Sequence, residues 1–436
     1  MTPLALGFSG IFAMLFLIAV RIPVSFAISL VGLAGLYAVG GEVLLVSTLE
    51  SLPYNFANQY GFVVIPMFIL MGGFAEVSGI TSDLYTFFHR MLGRVRGGLL
   101  MVTTLSSAGF AAISGSTMVN AVVFTRLALP QMIKFGYDRG IAAGCIAAAG
   151  TFAALIPPSI MMVIYALISG ESIGALLIAG IVPGVLTAMA YLLAIAVFVR
   201  VKPAWAPAPT EVFTLKEKAE SFQKIWPFAL LATIIIGGIY SGLMFPSSAG
   251  AVGAAGAFAI ALMRRRLQWH EIRGVLDATA TTTAVLFLII IAGLMLSRFF
   301  VYSGFVGEIV DAIKDLGLSP YLVFAIVIMM YLVLGCFMDT VSMTVVTVPF
   351  IHPIIVSLGF DPIWFGVILI KIIEIGVLTP PVGLNLFAVV SSAEGEITSS
   401  QMFRGIVPFL MVEALVLGVL IGFPEISLWL PEMMLR

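Results

Sequence analysis

Two short polar interruptions inside long apolar runs carry most of the residues that could do chemistry. The first is ISGSTMVN (113–120) and the second is CFMDTVSMT (336–344). Ser114, Gly115, Ser116 and Thr117 in one, and Asp339, Thr340 and Ser342 in the other, place hydroxyls, a carboxylate and flexible backbone among apolar neighbours. A chain that reverses at such a point leaves free carbonyls at the end of one helical arm and free N–H groups at the start of the next. Carbonyl, hydroxyl and carboxylate oxygens suit a small hard cation. The N-terminus of the second arm suits an anion such as a carboxylate. Asn120, one turn past the first tip, can donate or accept. Asp339 is an ionisable group in an apolar segment and so a functional candidate; capping the second arm is an equally good reading of the residue alone.

Two proline pairs complement these tips. Pro157 and Pro158 lack N–H groups, so the carbonyls of Ala153 and Ala154 are expected to lose their helical donors. Pro380 and Pro381 are expected to do the same to Gly376 and Val377, with Ser159, Thr379, Gly383 and Asn385 close by. The simplest reading is two similar cation sites flanking one substrate site. Lys371 and Glu374, three residues apart, are expected to pair with each other or with a neighbour. His89, His270 and His352 are assigned no role.

The elements that hold these residues follow from composition. Of 436 residues, 61% are hydrophobic and 10% charged, against about 25% charged in soluble domains. A membrane helix needs roughly 20 apolar residues. Apolar segments fall near 5–20, 22–39, 61–78, 141–168, 173–199, 226–243, 246–263, 276–297, 363–391 and 405–422. The interrupted runs 98–128 and 319–355 are read as re-entrant hairpins, whose irregular tips must face protein or water rather than lipid. No basic stretch follows Met1, so the first apolar run is expected to be a span and not a cleaved leader. Net charge is −1, which excludes a bulk basic surface for nucleic acid. Cys145 and Cys336 both lie in apolar runs, where a disulfide or metal cluster is not expected.

With both termini on the periplasmic side, 17 of the 21 Lys and Arg fall in cytoplasmic connections, as the positive-inside bias requires. The hydrophilic stretch 201–224 reads as a stiff Pro-Ala linker between halves of five spans each. The halves align at an offset of 223: Thr117 with Thr340, Pro130 with Pro353, Gly136 with Gly359, Asp138 with Asp361, and Pro157-Pro158 with Pro380-Pro381. The predicted fold is an all-α polytopic membrane protein of two inverted repeats, each of about five helices, with two re-entrant hairpins and two Pro-Pro-broken helices. The repeats occupy 1–200 and 225–436. This is an architecture of secondary transporters, with the binding site at the repeat interface.

The combination ISGSTMVNAVVF, Pro157-Pro158, GCFMDTVSM and LTPPVGLNLF, together with RIPVSFAI and YGFVVIPMFILMGG, resembles the large membrane subunit of tripartite ATP-independent periplasmic (TRAP) transporters, the DctM-like family. The resemblance covers essentially the whole chain. It implies a bacterial inner-membrane importer of carboxylates or sugar acids, with Na+ as the coupling ion and no cofactor. It implies a scaffold and a moving, elevator-type transport domain, with 1–60 and 226–264 in the scaffold. The implied partners are a small four-helix membrane subunit and a periplasmic substrate-binding protein. Because Met1 begins almost directly with a span, the small subunit is expected to be a separate chain. Carried onto this sequence, the cation sites involve Ser114, Gly115 and Ser116 with Ala153, Ala154 and Pro157, and Asp339 and Thr340 with Gly376, Val377 and Thr379. Substrate is expected between the tips, against Ser116, Thr117, Asn120, Pro158, Ser159, Asp339, Thr340, Pro381, Gly383 and Asn385.

The alternatives are a stand-alone carboxylate symporter, a passive channel and a membrane enzyme. An enzyme is disfavoured: there is no H-E-x-x-H, and no His lies near Gly115-Ser116 in the sequence. The chain also lacks the G-x-x-x-x-G-K-[ST] loop of an ATP-driven permease.

Overall fold

Proline and glycine set where the helices stop, and apolar composition sets what they face. The computed structural model describes residues 2–207, 213–336 and 338–434. These residues are helical and form no strand. Among the described residues, seven helices are long and apolar enough to cross a membrane, or nine if each of two bent pairs is one span. Every expected apolar segment contains a helix, although several bounds differ. The segment 22–39 lies within Val24–Ala57, which is interrupted at Gly41 (φ +62°), and 276–297 lies within Trp269–Tyr302.

The interrupted runs fold as helical hairpins. Gly98–Ser114 and Thr117–Lys134 form the first, and Pro320–Gly335 and Thr340–Ser357 form the second. Phe337, at the second tip, lies outside the described residues. The first broken helix runs Arg139–Leu155, then Ile160–Ser169 after a 43° bend. The second comprises Pro362–Val377 and Leu384–Ser392.

Local structure recurs at the offset of 223 residues. Both ends of Thr117–Lys134 map onto those of Thr340–Ser357. Asp138 Oδ1 accepts the Ile141 N–H at 2.9 Å, and Asp361 Oδ1 accepts that of Trp364 at 2.8 Å. Gly136 and Gly359 both take left-handed φ, +79° and +87°. The packing crosses between the halves. Thr117–Lys134 lies against Leu384–Ser392, and Thr340–Ser357 against Ile160–Ser169. Likewise Val64–Ser78 packs on Pro246–Met263, and Val24–Ala57 on Trp269–Tyr302.

Among the described residues, four α-helices lie outside the expected apolar segments, the last of them Glu425–Met434. Ile80–Leu92 and Phe305–Asp315 precede the two hairpins, and their alternation of apolar and polar residues at helical spacing is the signal for them. Another corrects the stiff-linker reading of 201–224. Leu215–Lys224 is a helix begun by a capping box, in which Thr214 Oγ1 accepts the Glu217 N–H and Glu217 Oε2 accepts the Thr214 N–H. The motif T-x-x-E (214–217) announces it. Residues 208–212 of that stretch lie outside the described residues.

Candidate functional site

Each hairpin tip sits on the proline break of its own half. At the first tip, Gly115 (φ +62°) ends one arm, and Ser116 caps the other by accepting the Val119 N–H. Gly115 carbonyl accepts the Ile160 N–H at 3.4 Å. A Cβ at Gly115 would lie 2.6 Å from the Pro158 carbonyl oxygen, so the tip approaches the break as closely as glycine permits. Ser114 is buried, and its hydroxyl has no hydrogen-bond partner among the described residues. The structure therefore brings Ser114, Gly115 and Ser116 together with Pro158, beside the segment that carries Ala153, Ala154 and Pro157.

The second half repeats the contact with different atoms. A Cβ at Gly335 would lie 2.5 Å from Gly376 Cα, and Cys336 Sγ donates to the Pro380 carbonyl at 3.9 Å. Asp339 caps the second arm, its Oδ2 accepting the Ser342 N–H at 3.0 Å. The capping reading thus holds for one oxygen, and among the described residues no donor occupies the other. Thr340 is the first helical residue of that arm, and its carbonyl accepts from Thr344 Oγ1. Thr379 Oγ1 donates to the Ile375 carbonyl at 2.7 Å, which leaves its lone pairs open. Gly383 (φ +56°) turns the chain so that its Cβ position lies 3.2 Å from the Val377 carbonyl oxygen. Asn385 is buried, and its amide nitrogen is unpartnered among the described residues.

Several expected ligands are already committed. The Ala154 carbonyl accepts the Ser159 hydroxyl at 2.5 Å, and that hydroxyl also caps Ile160–Ser169 through the Met162 N–H. Ser159 therefore replaces the donor that proline removes, and it is fully buried. The Gly376 carbonyl accepts the Thr379 N–H at 3.0 Å, so the last turn tightens instead of opening. Asn120 is turned away from the tip. Its Oδ1 accepts from Ser107 Oγ at 2.9 Å, and its Nδ2 donates to the Ser107 carbonyl at 3.1 Å. The single Ser107 hydroxyl proton is shared with the Ala149 carbonyl, so Ser107, held by Asn120 of the other arm, ties the hairpin to the broken helix.

A cavity of about 570 Å³ borders the first tip, within the size range of small-ligand sites. Ser114, Ser116, Val119 and Ile160 form one wall, and Thr279 and Thr282 stand on the other. Glu76 and Glu271 line it where Val64–Ser78 ends and Trp269–Tyr302 begins. Among the described residues, none of the second tip or second break lines this cavity. The expected placement between both tips therefore does not describe it: the cavity lies between the first tip and the helices Val64–Ser78 and Trp269–Tyr302.

A buried charge cluster lies beside the second break. Lys371 pairs with Glu413 and donates to Thr187 Oγ1 at 3.2 Å, and Tyr191 donates its hydroxyl to Glu413. Lys371, Glu374 and Glu413 are each at most 1% exposed. Lys371 thus takes the neighbour, not Glu374, whose two carboxylate oxygens have no hydrogen-bond partner among the described residues. Glu413 and Tyr191 were not singled out from sequence. A lone carboxylate in the apolar run 405–422 was the available signal for Glu413.

Paired helical hairpins docked on broken helices define a multi-pass membrane transporter. The fold is similar to that of the Alcanivorax borkumensis YdaH transporter, with a TM-score of 0.60 at 15% identity over 88% of this chain and 90% of that one. Residues 11–426 match the model of the tripartite ATP-independent periplasmic transporter DctM component, and the chain belongs to that family. It is 34% identical to the C4-dicarboxylate TRAP transporter large permease of Pseudomonas aeruginosa, over 87% of this chain and 88% of the relative. It is 30% identical to the sialic acid TRAP transporter large permease of Vibrio cholerae, over 98% of both. The chain is thus a large transport subunit of a tripartite system and not an enzyme.

Proposed function

We propose that the chain carries a small organic anion, a C4-dicarboxylate or a sugar acid, across the bacterial inner membrane, driven by Na+. The observation that carries this reading is the first tip. It combines an unpartnered buried hydroxyl, an exposed helix start and a cavity of about 570 Å³ in one place. Ser116 and the first N–H groups of Thr117–Lys134 would receive the substrate carboxylate, since a helix N-terminus favours an anion. Ser114, Gly115 and the Pro157-Pro158 break would hold one Na+. Asp339, Thr340, Val377 and Thr379 would hold a second.

The distribution of Lys and Arg supports a cytoplasmic location for the end of the cavity marked by Glu76 and Glu271, next to Arg264, Arg265 and Arg266. The described conformation is then open to the inside. The hairpins and broken helices would move together as an elevator against the crossed helices Val24–Ala57, Val64–Ser78, Pro246–Met263 and Trp269–Tyr302. A small membrane subunit and a periplasmic binding protein would complete the system. The test is uptake by the complete complex in proteoliposomes under an imposed Na+ gradient. Uptake should collapse when Na+ is replaced by K+; uptake sustained by a proton gradient alone would overturn the sodium assignment.

A further inference from the structure

We infer that a basic recess at the cytoplasmic end of the helices binds the phosphate headgroup of an anionic phospholipid. The recess is a cavity of about 430 Å³ where three chain segments meet. Arg139 opens the first broken helix, Gln401 and Arg404 stand in the opening turns of Ser399–Gly422, and Lys202 and Trp205 follow the end of Ile181–Val201. It has no lining residue in common with the cavity at the first tip, so it lies off the proposed transport path. Among the described lining residues, three cations stand against one carboxylate, Asp138, whose Oδ1 accepts the Ile141 N–H. Arg139 pairs with Glu396 at 3.3 Å. Lys202 and Arg404 have no carboxylate at ion-pair distance among the described residues, and Lys202 Nζ stands 4.8 Å from the centre of the Trp205 ring. Gln401 Oε1 accepts the Thr398 N–H at 2.9 Å, which leaves its amide N–H groups to donate. Both helix starts here are closed by their own caps, Asp138 and Thr398, so side chains receive the anion.

The recess is held by backbone contacts. The Asp138 N–H donates to the Trp205 carbonyl at 3.1 Å, and Arg96 Nη2 donates to the Pro203 carbonyl at 3.3 Å. A Cβ at Gly140 would lie 2.6 Å from the Gln401 carbonyl oxygen, so two helices meet backbone to backbone at its floor. The surroundings select a lipid over a soluble phosphate. Ile181–Val201 and Ser399–Gly422 pack on each other. On the first, Val185, Met189, Leu193, Val197 and Val201 recur every fourth residue up to Lys202, and each is at least 50% exposed. That strip is about 24 Å long, more than the ~15 Å of hydrocarbon in one leaflet. On the second, Val407, Met411 and Leu415 lead away from Arg404 and are also exposed. Each unpaired cation therefore stands at the head of an apolar strip that an acyl chain can follow. Trp205 supplies the ring favoured at a membrane interface, and basic recesses between cytoplasmic helix ends suit anionic headgroups.

The test titrates the purified complex in detergent with phosphatidylglycerol, phosphatidylcholine or inorganic phosphate, and reads thermal stabilisation and lipid retained in native mass spectrometry. Phosphatidylglycerol should stabilise the complex and stay bound at concentrations where the other two do neither. One Lys or Arg at an anionic headgroup is worth about fivefold in affinity, so Lys202→Gln/Arg404→Gln should weaken phosphatidylglycerol binding about twentyfold. Arg273→Gln, at an exposed cation outside the recess, should leave it unchanged. If the double variant does not assemble, the single variants decide, each with a loss of about fivefold. An equal response to phosphatidylcholine or to inorganic phosphate, or unweakened binding in the Lys202 and Arg404 variants, would overturn the assignment. Cross-linking of Leu193→Cys or Leu415→Cys to the small membrane subunit would give this face to a protein partner and overturn it as well.

Discussion

The two tip–break units share a backbone and differ in charge. In both, a hairpin tip ends at a glycine pressed against the break, Gly115 on Pro158 and Gly335 on Gly376. Both second arms begin at an N-cap side chain, Ser116 in one half and Asp339 in the other. Behind the breaks stand Ala148 and Thr151 in the first half, and Lys371 and Glu374 in the second. The first unit is neutral and borders the cavity, whereas the second is charged and, among the described residues, does not. Duplicated geometry with divergent electrostatics indicates a division of labour. On the proposed function, the neutral unit would face the organic anion and the charged unit would hold the cation more tightly.

The charged side should break first. Lys371→Met leaves Glu413 and Glu374 buried without a cation, and should cost about 3–5 kcal/mol of stability. The double variant Lys371→Met/Glu413→Leu should recover most of that, because well-packed apolar replacements of a buried pair are often neutral. Thermal unfolding of the purified subunit checks both. A single variant as stable as wild type would mean that the cluster is solvated and that the contrast between the halves is superficial.

Gly115 tests the neutral side. Ala there would bring a Cβ to 2.6 Å from a backbone oxygen at a φ of +62°. The tip must then lift, and a displacement on the order of 1 Å can cost about a hundredfold in rate. Uptake by Gly115→Ala should fall by about that factor with assembly intact. Normal uptake would detach the first tip from the transport path.

How much of this was legible in the sequence depends on how far the determining contact reaches. The proline breaks, the tip glycines and the paired aspartate caps are local backbone chemistry, and Pro157, Gly115 and Asp138 declare them by type. The Ser159 bond to the Ala154 carbonyl is also local, five residues apart, yet it turns a predicted free ligand into a satisfied one. Asn120 was misplaced because its partner Ser107 lies on the other arm, and only the folded hairpin brings them together. Lys371 and Glu413 lie on different helices 42 positions apart, and no helical periodicity links them. The cavity was least legible, since its second wall comes from Val64–Ser78 and Trp269–Tyr302, of which no residue announced a binding role even where the first overlaps YGFVVIPMFILMGG.

Asp339 sharpens the comparison at its most direct point. Asn caps helices about as well as Asp, so Asp339→Asn keeps the start of Thr340–Ser357 and removes only the charge. Half-saturating Na+ should rise about tenfold, one order of magnitude being about 1.4 kcal/mol. Ser116→Ala, at the matched position, should shift Na+ affinity by less than about threefold and weaken substrate affinity instead. Equal Na+ shifts in both variants would show that the units are interchangeable.

The smallest effects bear on the claim that the backbone geometry is shared. Asp138 and Asp361 each accept one N–H at the start of a broken helix, at 2.9 and 2.8 Å. Loss of such a cap costs about 1 kcal/mol. Asp138→Ala and Asp361→Ala should therefore destabilise the subunit by similar amounts and leave Na+ affinity unchanged, since both caps lie at the opposite end of the helix from the break. Pro362 follows Asp361 and already fixes the first helical φ, so any inequality should make Asp361→Ala the milder of the two. Thermal unfolding and Na+ titration measure these quantities separately. A selective loss of Na+ affinity in Asp361→Ala would show that the second broken helix transmits strain along its length. The halves would then differ in mechanics as well as in charge.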